Sequence, residues 1–391
     1  MNRTLLNPVR RRFNSRKDLL RHLFIKIMSF VKANAVLCIA VFAAAVTSVV
    51  VPPDSQYISY FDFKTLTCLF CTLACICALR NLKFFVTLAR RIIVLCKNSR
   101  LCVLTLVYIT FIGSMFLAND MALLTFLPLG YMVLSSCKKE KYMAFTFVMQ
   151  NIAANLGGML TPFGNPQNLF IYSKFNIPTG EFVSIMALPF TVAIAIITLC
   201  CLVFVKKEPL LLADEEVTIN KKRAAVYLAL FALSVIIVFR IIPYYIGLAV
   251  VLGALIFLDR DALKKVDYPL LLTFCAFFVF SGNMARIEGV RIIFEWLLEK
   301  NTLIFSALSC QVISNVPSAV LLSSFTDNYR ELLLGVNIGG AGTLIASLAS
   351  LITFREFTKH YPKDTKKYIG IFSAFNFGML AILLVVVSVT L

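Results

Sequence analysis

The sequence predicts an all-α integral membrane protein with two inverted repeats, about nine full membrane spans and two re-entrant hairpins. Of its 391 residues, 60% are hydrophobic and only 15% are charged, whereas about a quarter of a soluble domain is charged. The apolar residues form continuous blocks, many near the length of about 20 residues that a helix needs to cross the hydrocarbon core. Two of these blocks are interrupted by the same pattern of Asn, Gly and Thr, which predicts the repeat.

The predicted repeats are residues 33–205 and 224–391, joined by a cytoplasmic linker at 206–223. A basic leader at 1–32 precedes the first repeat, and its amphipathic pattern predicts a helix that lies on the cytoplasmic membrane surface. Each repeat has ordinary spans, then a basic or amphipathic arm (80–100 and 282–301), a hairpin, a broken helix and a final span.

The hairpins are predicted at 101–136 and 302–325. The first block is too long for one crossing and carries Asn119 and Asp120 at its middle. The second has the polar residues Gln311, Ser314 and Asn315, and Pro317, near its middle. Irregular backbone at membrane depth is tolerated only where it is buried in protein or lines a cavity. Both blocks are therefore interpreted as re-entrant hairpins.

The broken helices are predicted at 142–175 and 331–353, because Pro and Gly interrupt the helical hydrogen-bond ladder. The segments Asn155–Asn168 and Asn337–Thr343 align with each other. Asn155, Gly157, Gly158 and Thr161 fall opposite Asn337, Gly339, Gly340 and Thr343, and Asn165 and Asn168 fall opposite Ser347 and Ser350. Paired broken helices in two halves predict a secondary transporter with its binding site at the repeat interface.

The charge distribution predicts the topology. The net charge is +18, which on a soluble protein would suggest nucleic acid. Here 31 of the 38 Lys and Arg residues fall in segments that one orientation places in the cytoplasm, as the positive-inside rule requires. The N-terminus is then cytoplasmic and the C-terminus outside. We expect a multi-pass protein of a prokaryotic plasma (inner) membrane, in contact with the lipid bilayer and not with nucleic acid.

Asp120 is the clearest candidate for chemistry, because an ionisable side chain inside the membrane is costly and is a functional candidate by default. Two readings stay open. The carboxylate couples transport to a proton or cation, or it caps the N-terminus of the return helix by accepting hydrogen bonds from its N–H groups. The two roles are compatible.

Amide side chains gather at the hairpin tips and helix breaks. They either satisfy the freed backbone or bind substrate, since helix ends there expose N–H groups and positive dipole ends that suit an anion. Gln167 and Asn168 are balanced between these two roles. The candidate substrate- or ion-binding residues are Asn119, Asp120, Asn155, Gly157, Gly158, Thr161, Asn165, Asn168, Ser314, Asn315, Asn337, Gly339, Gly340 and Thr343.

The cysteines and histidines predict no metal site. A thiolate site is conceivable at Cys68, Cys71, Cys75 and Cys77, but the two histidines of the chain complete no ligand set there. No Asp-rich motif or intramembrane His supports a membrane enzyme. We therefore expect no cofactor other than a coupling ion, H⁺ or Na⁺, with any Na⁺ at the hairpin tips.

At Leu117–Asp120, Gly157–Asn168 and Ser314–Pro317 the sequence resembles the ion transporter superfamily, most closely the citrate transporter-like anion permeases, which are related to arsenite permeases and dicarboxylate/sodium symporters. The resemblance implies an elevator-type carrier with a scaffold that forms a homodimer. Sodium-coupled dicarboxylate members carry Ser-Asn-Thr at both tips, whereas this chain has Ala-Asn-Asp at 118–120 and Ser-Asn-Val at 314–316. The Asn-Asp pair looks more like the arsenite permeases, where proton coupling is expected.

The function predicted from these features is secondary active transport of small anions, either carboxylates such as citrate and dicarboxylates or inorganic oxyanions, with proton coupling through Asp120. The alternatives are an arsenite or antimonite efflux permease and a sodium/proton antiporter. An antiporter would usually recruit more buried carboxylates.

Overall fold

The computed structural model describes residues 34–210 and 219–391, together with Phe24, Met28, Phe30 and Val31. The predicted leader at 1–32 and the middle of the predicted linker therefore lie mostly outside the described residues. The α-helices of the described part are α1 (Ala35–Val50), α2 (Phe63–Asn81), α3 (Phe84–Ile93), α4 (Ser99–Ser114), α5 (Asn119–Ser136), α6 (Met143–Gly157), α7 (Pro166–Lys174), α8 (Thr179–Phe204), α9 (Lys221–Val238), α10 (Tyr244–Leu258), α11 (Arg260–Lys264), α12 (Tyr268–Arg286), α13 (Glu288–Ile313), α14 (Asn315–Leu322), α15 (Tyr329–Ile338), α16 (Leu348–His360) and α17 (Thr365–Thr390).

In the described part of the chain, four helical segments are long and apolar enough to span a membrane: α2, α8, α12 and the segment Pro362–Thr390, which contains α17. Three shorter apolar helices, α1, α4 and α10, accompany them. The protein is thus an all-helical, multi-pass membrane protein, as predicted. The number of full spans and the re-entrant path of the hairpins stay predictions.

One set of helices, here called the lateral group, consists of α1, α2 and α9–α12. Helix α1 packs along α12, and α2 packs against α9, α10 and α11. The α1–α12 contact is mostly apolar but includes one polar crossing, in which Asn283 Nδ2 donates to Thr47 Oγ1 over 3.2 Å. Such interhelical hydrogen bonds add to the packing that holds apolar helices together in lipid.

The central group consists of α4–α7 and α13–α16, and it contains both predicted hairpins and both predicted broken helices. Helix α6 packs on α4 and α5, and α15 packs in the same way on α13 and α14. The two sets also contact each other, through α16 with α5 and α6 and through α7 with α14 and α15. Every predicted site residue is on this group.

The first helix of each hairpin begins at a capping asparagine. Asn98 Oδ1 accepts from the Leu101 N–H over 2.9 Å, and Asn301 Oδ1 accepts from the Ile304 N–H over 2.7 Å. An Asn at this position satisfies one of the N–H groups left free at a helix start. In the second half Asn301 is a kink inside α13, with φ −168° and ψ 95°, so arm and hairpin helix meet there without a loop.

The predicted arms need one correction. Residues 282–286 continue α12 instead of starting the second arm, because α12 extends to Arg286. The side chain of Arg286 forms a 2.8 Å ion pair with Asp54 and a 3.0 Å hydrogen bond with the Tyr60 hydroxyl. Those two partners hold the basic end of this helix against residues 54–60.

Candidate functional site

The two hairpin tips have the same local geometry. Ala118 and Ser314 have positive φ values of 40° and 75°, and each is followed directly by an Asn that starts the next helix. Asn119 Oδ1 accepts from the Asp120 N–H, and Asn315 Oδ1 accepts from the Val316 N–H, both over 2.9 Å. Non-glycine residues in this region are uncommon and mark a backbone that its surroundings hold in place.

Each helix break is tied to its own hairpin through an equivalent threonine. The first break is residues 158–165, between α6 and α7, and the second is residues 339–347, between α15 and α16. Thr161 Oγ1 donates to the Met115 carbonyl over 2.7 Å, and Thr343 Oγ1 donates to the Gln311 carbonyl over 3.1 Å. Thr161 and Thr343, both predicted site residues, therefore link each break to the hairpin of its own half.

The carbonyl groups freed at the first break are satisfied from within the same broken helix. Asn168 Nδ2 lies 3.2–3.3 Å from the carbonyl oxygens of Gly158, Met159 and Thr161. Asn165 Nδ2 donates to the Asn155 carbonyl over 3.1 Å. Buried carbonyls without partners would cost several kcal/mol in a membrane interior, so these two amides support the fold of the break.

The second break takes its donors from its hairpin. Gln311 Nε2 donates to the carbonyls of Gly339 (2.8 Å) and Ala341 (3.1 Å), and Gln311 Oε1 accepts from the Thr343 N–H over 2.8 Å. Gln311 was noted in the sequence as a polar residue of the hairpin but was not among the predicted site residues. The structure assigns it this supporting position.

Asn155 joins the two halves. Its Oδ1 accepts from Asn119 Nδ2 (3.1 Å) and from Ser347 Oγ (2.8 Å), while its Nδ2 lies 3.4 Å from the Gly340 carbonyl. The backbone N–H of Asn315 donates to the Ala346 carbonyl over 2.9 Å. Both hairpin tips thus reach consecutive residues of the second break, 346 and 347, and the first tip does so through Asn155.

A second junction surrounds Asn337. Its Nδ2 donates to Asn168 Oδ1 over 2.6 Å, and its Oδ1 lies 3.3 Å from Asn165 Nδ2 and 3.4 Å from Gln167 Nε2. All four amides are buried. The Oδ1 of Asn165 and the Oε1 of Gln167 have no hydrogen-bond partner within the described residues. These two oxygen atoms are free acceptors inside the amide cluster.

Glycines allow close contact between the breaks and the hairpins. A Cβ on Gly157 would overlap the Phe111 carbonyl oxygen of α4, and one on Gly339 would lie 2.9 Å from the Ala307 Cα of α13. A Cβ on Gly158 would overlap Asn165 Oδ1, and one on Gly340 would lie 3.3 Å from Asn315 Nδ2. The four predicted glycines therefore lie where backbone meets backbone or amide.

Asp120 follows Asn119 in the first turn of α5. Its Oδ1 is buried and has no hydrogen-bond partner in the described part of the chain. A capping carboxylate would accept from N–H groups of its own helix, and no hydrogen bond of that kind is formed by either oxygen among the described residues. In this structure the tip N–H of α5 is capped by Asn119 instead.

Sequence reasoning missed three positions near this cluster. Gln150, buried in α6, donates to Thr110 Oγ1 over 3.0 Å, and its neighbour Asn151 donates to Asn376 Oδ1 of α17 over 3.3 Å. Two adjacent amides in an apolar helix were the available signal. Arg240, which follows α9, donates to the Tyr172 carbonyl and covers the Tyr172 ring at 4.4 Å.

The cysteine cluster is packed into the protein core. Cys68, Cys71, Cys75 and Cys77 are all buried in α2, which packs against α9 and α10. Within the described residues no three His, Cys, Asp or Glu side chains are grouped so that they could hold a metal ion. The four thiols act here as small apolar side chains.

Comparison with known proteins gives a family match over most of the chain. A family model described as "Citrate transporter" matches residues 23–329. An uncharacterized transporter of Methanocaldococcus jannaschii is 34% identical over 295 residues, which are 75% of this chain and 81% of that protein. The inner membrane protein YbiR of Escherichia coli is 30% identical over 280 residues, 70% of this chain and 74% of that protein. A shorter stretch of 114 residues, 29% of this chain and 20% of the relative, is 28% identical to the transporter candidate arsB of Dictyostelium discoideum. The family resemblance drawn from the motifs is confirmed.

Proposed function

Since this chain belongs to the citrate transporter family and is a membrane transporter, we propose that it is a secondary carrier of small anions. The substrates are carboxylates such as citrate and dicarboxylates, or inorganic oxyanions. Transport is coupled to protons through Asp120. The protein is a homodimer in a prokaryotic inner membrane, with its N-terminus in the cytoplasm and its C-terminus outside.

One observation carries this proposal: α5 and α14 both begin at the same buried amide cluster. Asn119 reaches Ser347 through Asn155, and the Asn315 N–H bonds to Ala346. A helix N-terminus carries free N–H groups and a partial positive charge, which together favour an anion. Two such termini at one cluster can bind the two ends of a dicarboxylate.

The matched contacts of the two halves support an inverted repeat with alternating access. The pairs Asn119 and Asn315, and Thr161 and Thr343, make the same hydrogen bonds in their halves. Pseudo-symmetric broken helices of this kind suit a carrier whose central unit moves against a scaffold. In this proposal the central group moves as an elevator along the lateral group.

Arsenite or antimonite efflux is the second candidate. The specific observation in its favour is the chemistry of the cluster, where the described hydrogen bonds come from amides and hydroxyls and none comes from Lys or Arg. Trihydroxy arsenite is neutral at pH 7, so it needs hydrogen-bond partners and no cation.

The test is uptake and counterflow in proteoliposomes with labelled citrate, succinate, sulfate and arsenite. In the carrier proposal, Asn119→Ala and Asn315→Ala each raise KM for the transported anion about tenfold or more, since each removes tip hydrogen bonds worth about 1–3 kcal/mol. The matched control is Asn328→Ala, which removes the cap at the N-terminus of α15, the opposite end of that helix from Asn337, and leaves KM unchanged. Transport of arsenite alone would replace the proposal with the second candidate, and unchanged KM in both tip variants would place the site elsewhere.

A further inference from the structure

A cavity of about 590 Å³ lies between the lateral and central groups, away from the amide cluster. Its lateral wall comes from residues 56–64 and the end of α12, and its central wall comes from the end of α7 and the end of α14. In the predicted topology this is the outer end of the helices. The volume is within the range of about 300–1,000 Å³ that holds small ligands.

The charged residues in the described lining of this cavity are three cations, Lys64, Lys174 and Arg286, and one carboxylate, Asp62. Asp62 is engaged at the start of α2, where it accepts from the Thr65 N–H (2.9 Å) and from the Thr65 hydroxyl. Arg286 is paired with Asp54 at 2.8 Å. The two lysines therefore supply an excess of positive charge in the cavity wall.

Lys64 is in the first turn of α2, a position where the helix dipole disfavours a cation. Its ammonium group makes no ion pair or hydrogen bond with the described part of the chain. The charge of Arg240 acts against the Lys64 ammonium, while the carboxylate of Asp62 favours it. Lys64 thus lies at the cavity wall without an ion pair among the described residues, in a position that the dipole of α2 disfavours, which indicates a role other than the stability of α2.

Lys174 lies on the opposite wall of the cavity from Lys64. Its Nζ donates to Ser323 Oγ over 2.8 Å and lies 3.4 Å from Ser324 Oγ, and Ser324 Oγ lies 2.9 Å from Ser281 Oγ of α12. An ammonium group has three N–H donors, so one remains for a ligand. The side chain is also exposed to the cavity.

We propose that this cavity is a second anion site, which binds a small soluble di- or trianion between Lys64 and Lys174 before it reaches the amide cluster. The choice of ligand rests on the proposed function, since the carrier would collect its own substrate there. The bound anion bridges one lysine on the lateral group and one on the central group. It therefore raises the local substrate concentration at the boundary between the two groups.

The neighbouring cavity, of about 570 Å³, has the opposite charge. It is lined by Glu295, Glu299, Asp327 and Glu331 with Lys300 as the one cation in its described lining. Lys300 is therefore a matched control position: it is a lysine at the same end of the fold, but its surroundings repel anions. Its removal changes the net charge of the protein by the same amount as the removal of Lys64 or Lys174.

The experiment measures equilibrium binding of labelled citrate and of labelled sulfate to the full chain in phosphatidylcholine nanodiscs. We expect Lys64→Gln and Lys174→Gln each to weaken binding about five- to tenfold, with affinity that falls as ionic strength rises. Lys64→Arg and Lys174→Arg retain binding because they keep the charge. Lys300→Gln binds as the wild type does. Far-UV circular dichroism checks that each variant is folded.

Four other outcomes overturn the second site, the central site of the carrier proposal, or both. Wild-type affinity in both lysine-to-glutamine variants, with loss in Asn315→Ala, removes the second site and leaves the carrier intact. Loss in the lysine variants alone, with no effect of Asn119→Ala or Asn315→Ala, removes the central site of the carrier proposal. No binding of either anion removes both. If nanodiscs of anionic phosphatidylglycerol abolish anion binding at every ionic strength, the cavity is assigned to a lipid headgroup instead.

Discussion

The first and second hairpins share one backbone geometry and differ in the side chain that follows the tip asparagine. Both tips have a positive-φ residue and an asparagine that caps its own successor. In the first hairpin that successor is Asp120, with a buried oxygen atom that has no partner among the described residues. In the second it is Val316, which is apolar. The common framework can thus form an anion site, while a titratable group is present in one half only.

The two breaks are also stabilised differently. The first break is satisfied by Asn165 and Asn168, which lie on its own broken helix. The second is satisfied by Gln311, which lies on its hairpin. The second hairpin and its break are therefore bound into one unit, whereas the first hairpin is attached to its break through Thr161 and Asn119. In this protein the two breaks therefore leave backbone carbonyls free at equivalent positions, and different side chains satisfy them.

We expect the largest effect from Asp120→Asn, which makes the two hairpin tips chemically more alike. We expect gradient-driven uptake to be lost almost completely, because the titratable group is removed, while substrate exchange across the membrane persists. Uptake with and without an imposed pH gradient, together with counterflow, measures both activities in proteoliposomes.

The control for Asp120→Asn is Asp261→Asn, which removes an exposed carboxylate paired with Lys264 and leaves both activities unchanged. If Asp120→Asn keeps the pH dependence of the wild type, coupling does not depend on this residue. Asp120 would then be a structural residue of the tip.

An effect of intermediate size is expected on stability, and it differs between the two helix breaks. Gly157→Ala pushes a Cβ into the Phe111 carbonyl oxygen, whereas the atoms nearest to a Cβ on Gly339 are the Gly335 carbonyl oxygen at 2.7 Å and the Ala307 Cα at 2.9 Å. We expect Gly157→Ala to lower the free energy of unfolding by about 3 kcal/mol or more and Gly339→Ala by about 1–2 kcal/mol, since overpacking typically costs 1–3 kcal/mol. Thermal unfolding in detergent ranks the two variants.

Gly180→Ala and Gly378→Ala serve as controls here, because a Cβ at either position meets no atom within 4 Å. Equal destabilisation by Gly157→Ala and Gly339→Ala would show that α4 shifts to accommodate the added Cβ as readily as α13 does. The contact between the first break and its hairpin would then be no tighter than that of the second.

The smallest expected effect is a change in thermal stability on substitution of Glu208. This residue is bound to Lys139 and Lys141, which follow the first hairpin, and no counterpart is described in the second half. Hydrogen bonds from Lys139 and Lys141 lower the pKa of Glu208 to about 2, from the usual 4.5. A carboxyl group with a lowered folded-state pKa stabilises the fold above its unfolded pKa, and this contribution disappears as pH falls from about 4.5 to 2. We expect Glu208→Gln to lower Tm by about 1 °C at pH 7, and the difference from the wild type to vanish near pH 2.

Glu140→Gln is the control for this pair of melting curves, since Glu140 is nearby and has no ion pair in residues 34–210 or 219–391. A difference between wild type and Glu208→Gln that stays constant with pH would assign the effect to packing of the linker and not to the charge.

The breaks and tips could be predicted from the sequence because Pro, Gly and Asn act locally on the backbone. The alignment of Asn155 with Asn337 and of Thr161 with Thr343 was visible in the order of residues alone. The two threonines make equivalent contacts with their hairpins, whereas Asn155 bonds to a hairpin tip and Asn337 bonds to the other broken helix. The partners across the fold could not be predicted in this way. Arg240 binds a carbonyl 68 residues away, and Gln311 was recognised as polar without any indication that it supports the second break. Such partners depend on how helices pack, which one sequence does not specify. The substrate, the elevator movement, the span count and the homodimer stay predictions.

Amide side chains do not ionise between pH 4 and 10, which gives the cluster around Asn155 and Asn337 a fixed hydrogen-bond pattern across that range. Acidification therefore leaves the shape of the cluster unchanged and alters charge at the tips only through Asp120. In the proposed carrier, a plot of transport rate against pH should follow the curve of a single proton, with a Hill slope of one.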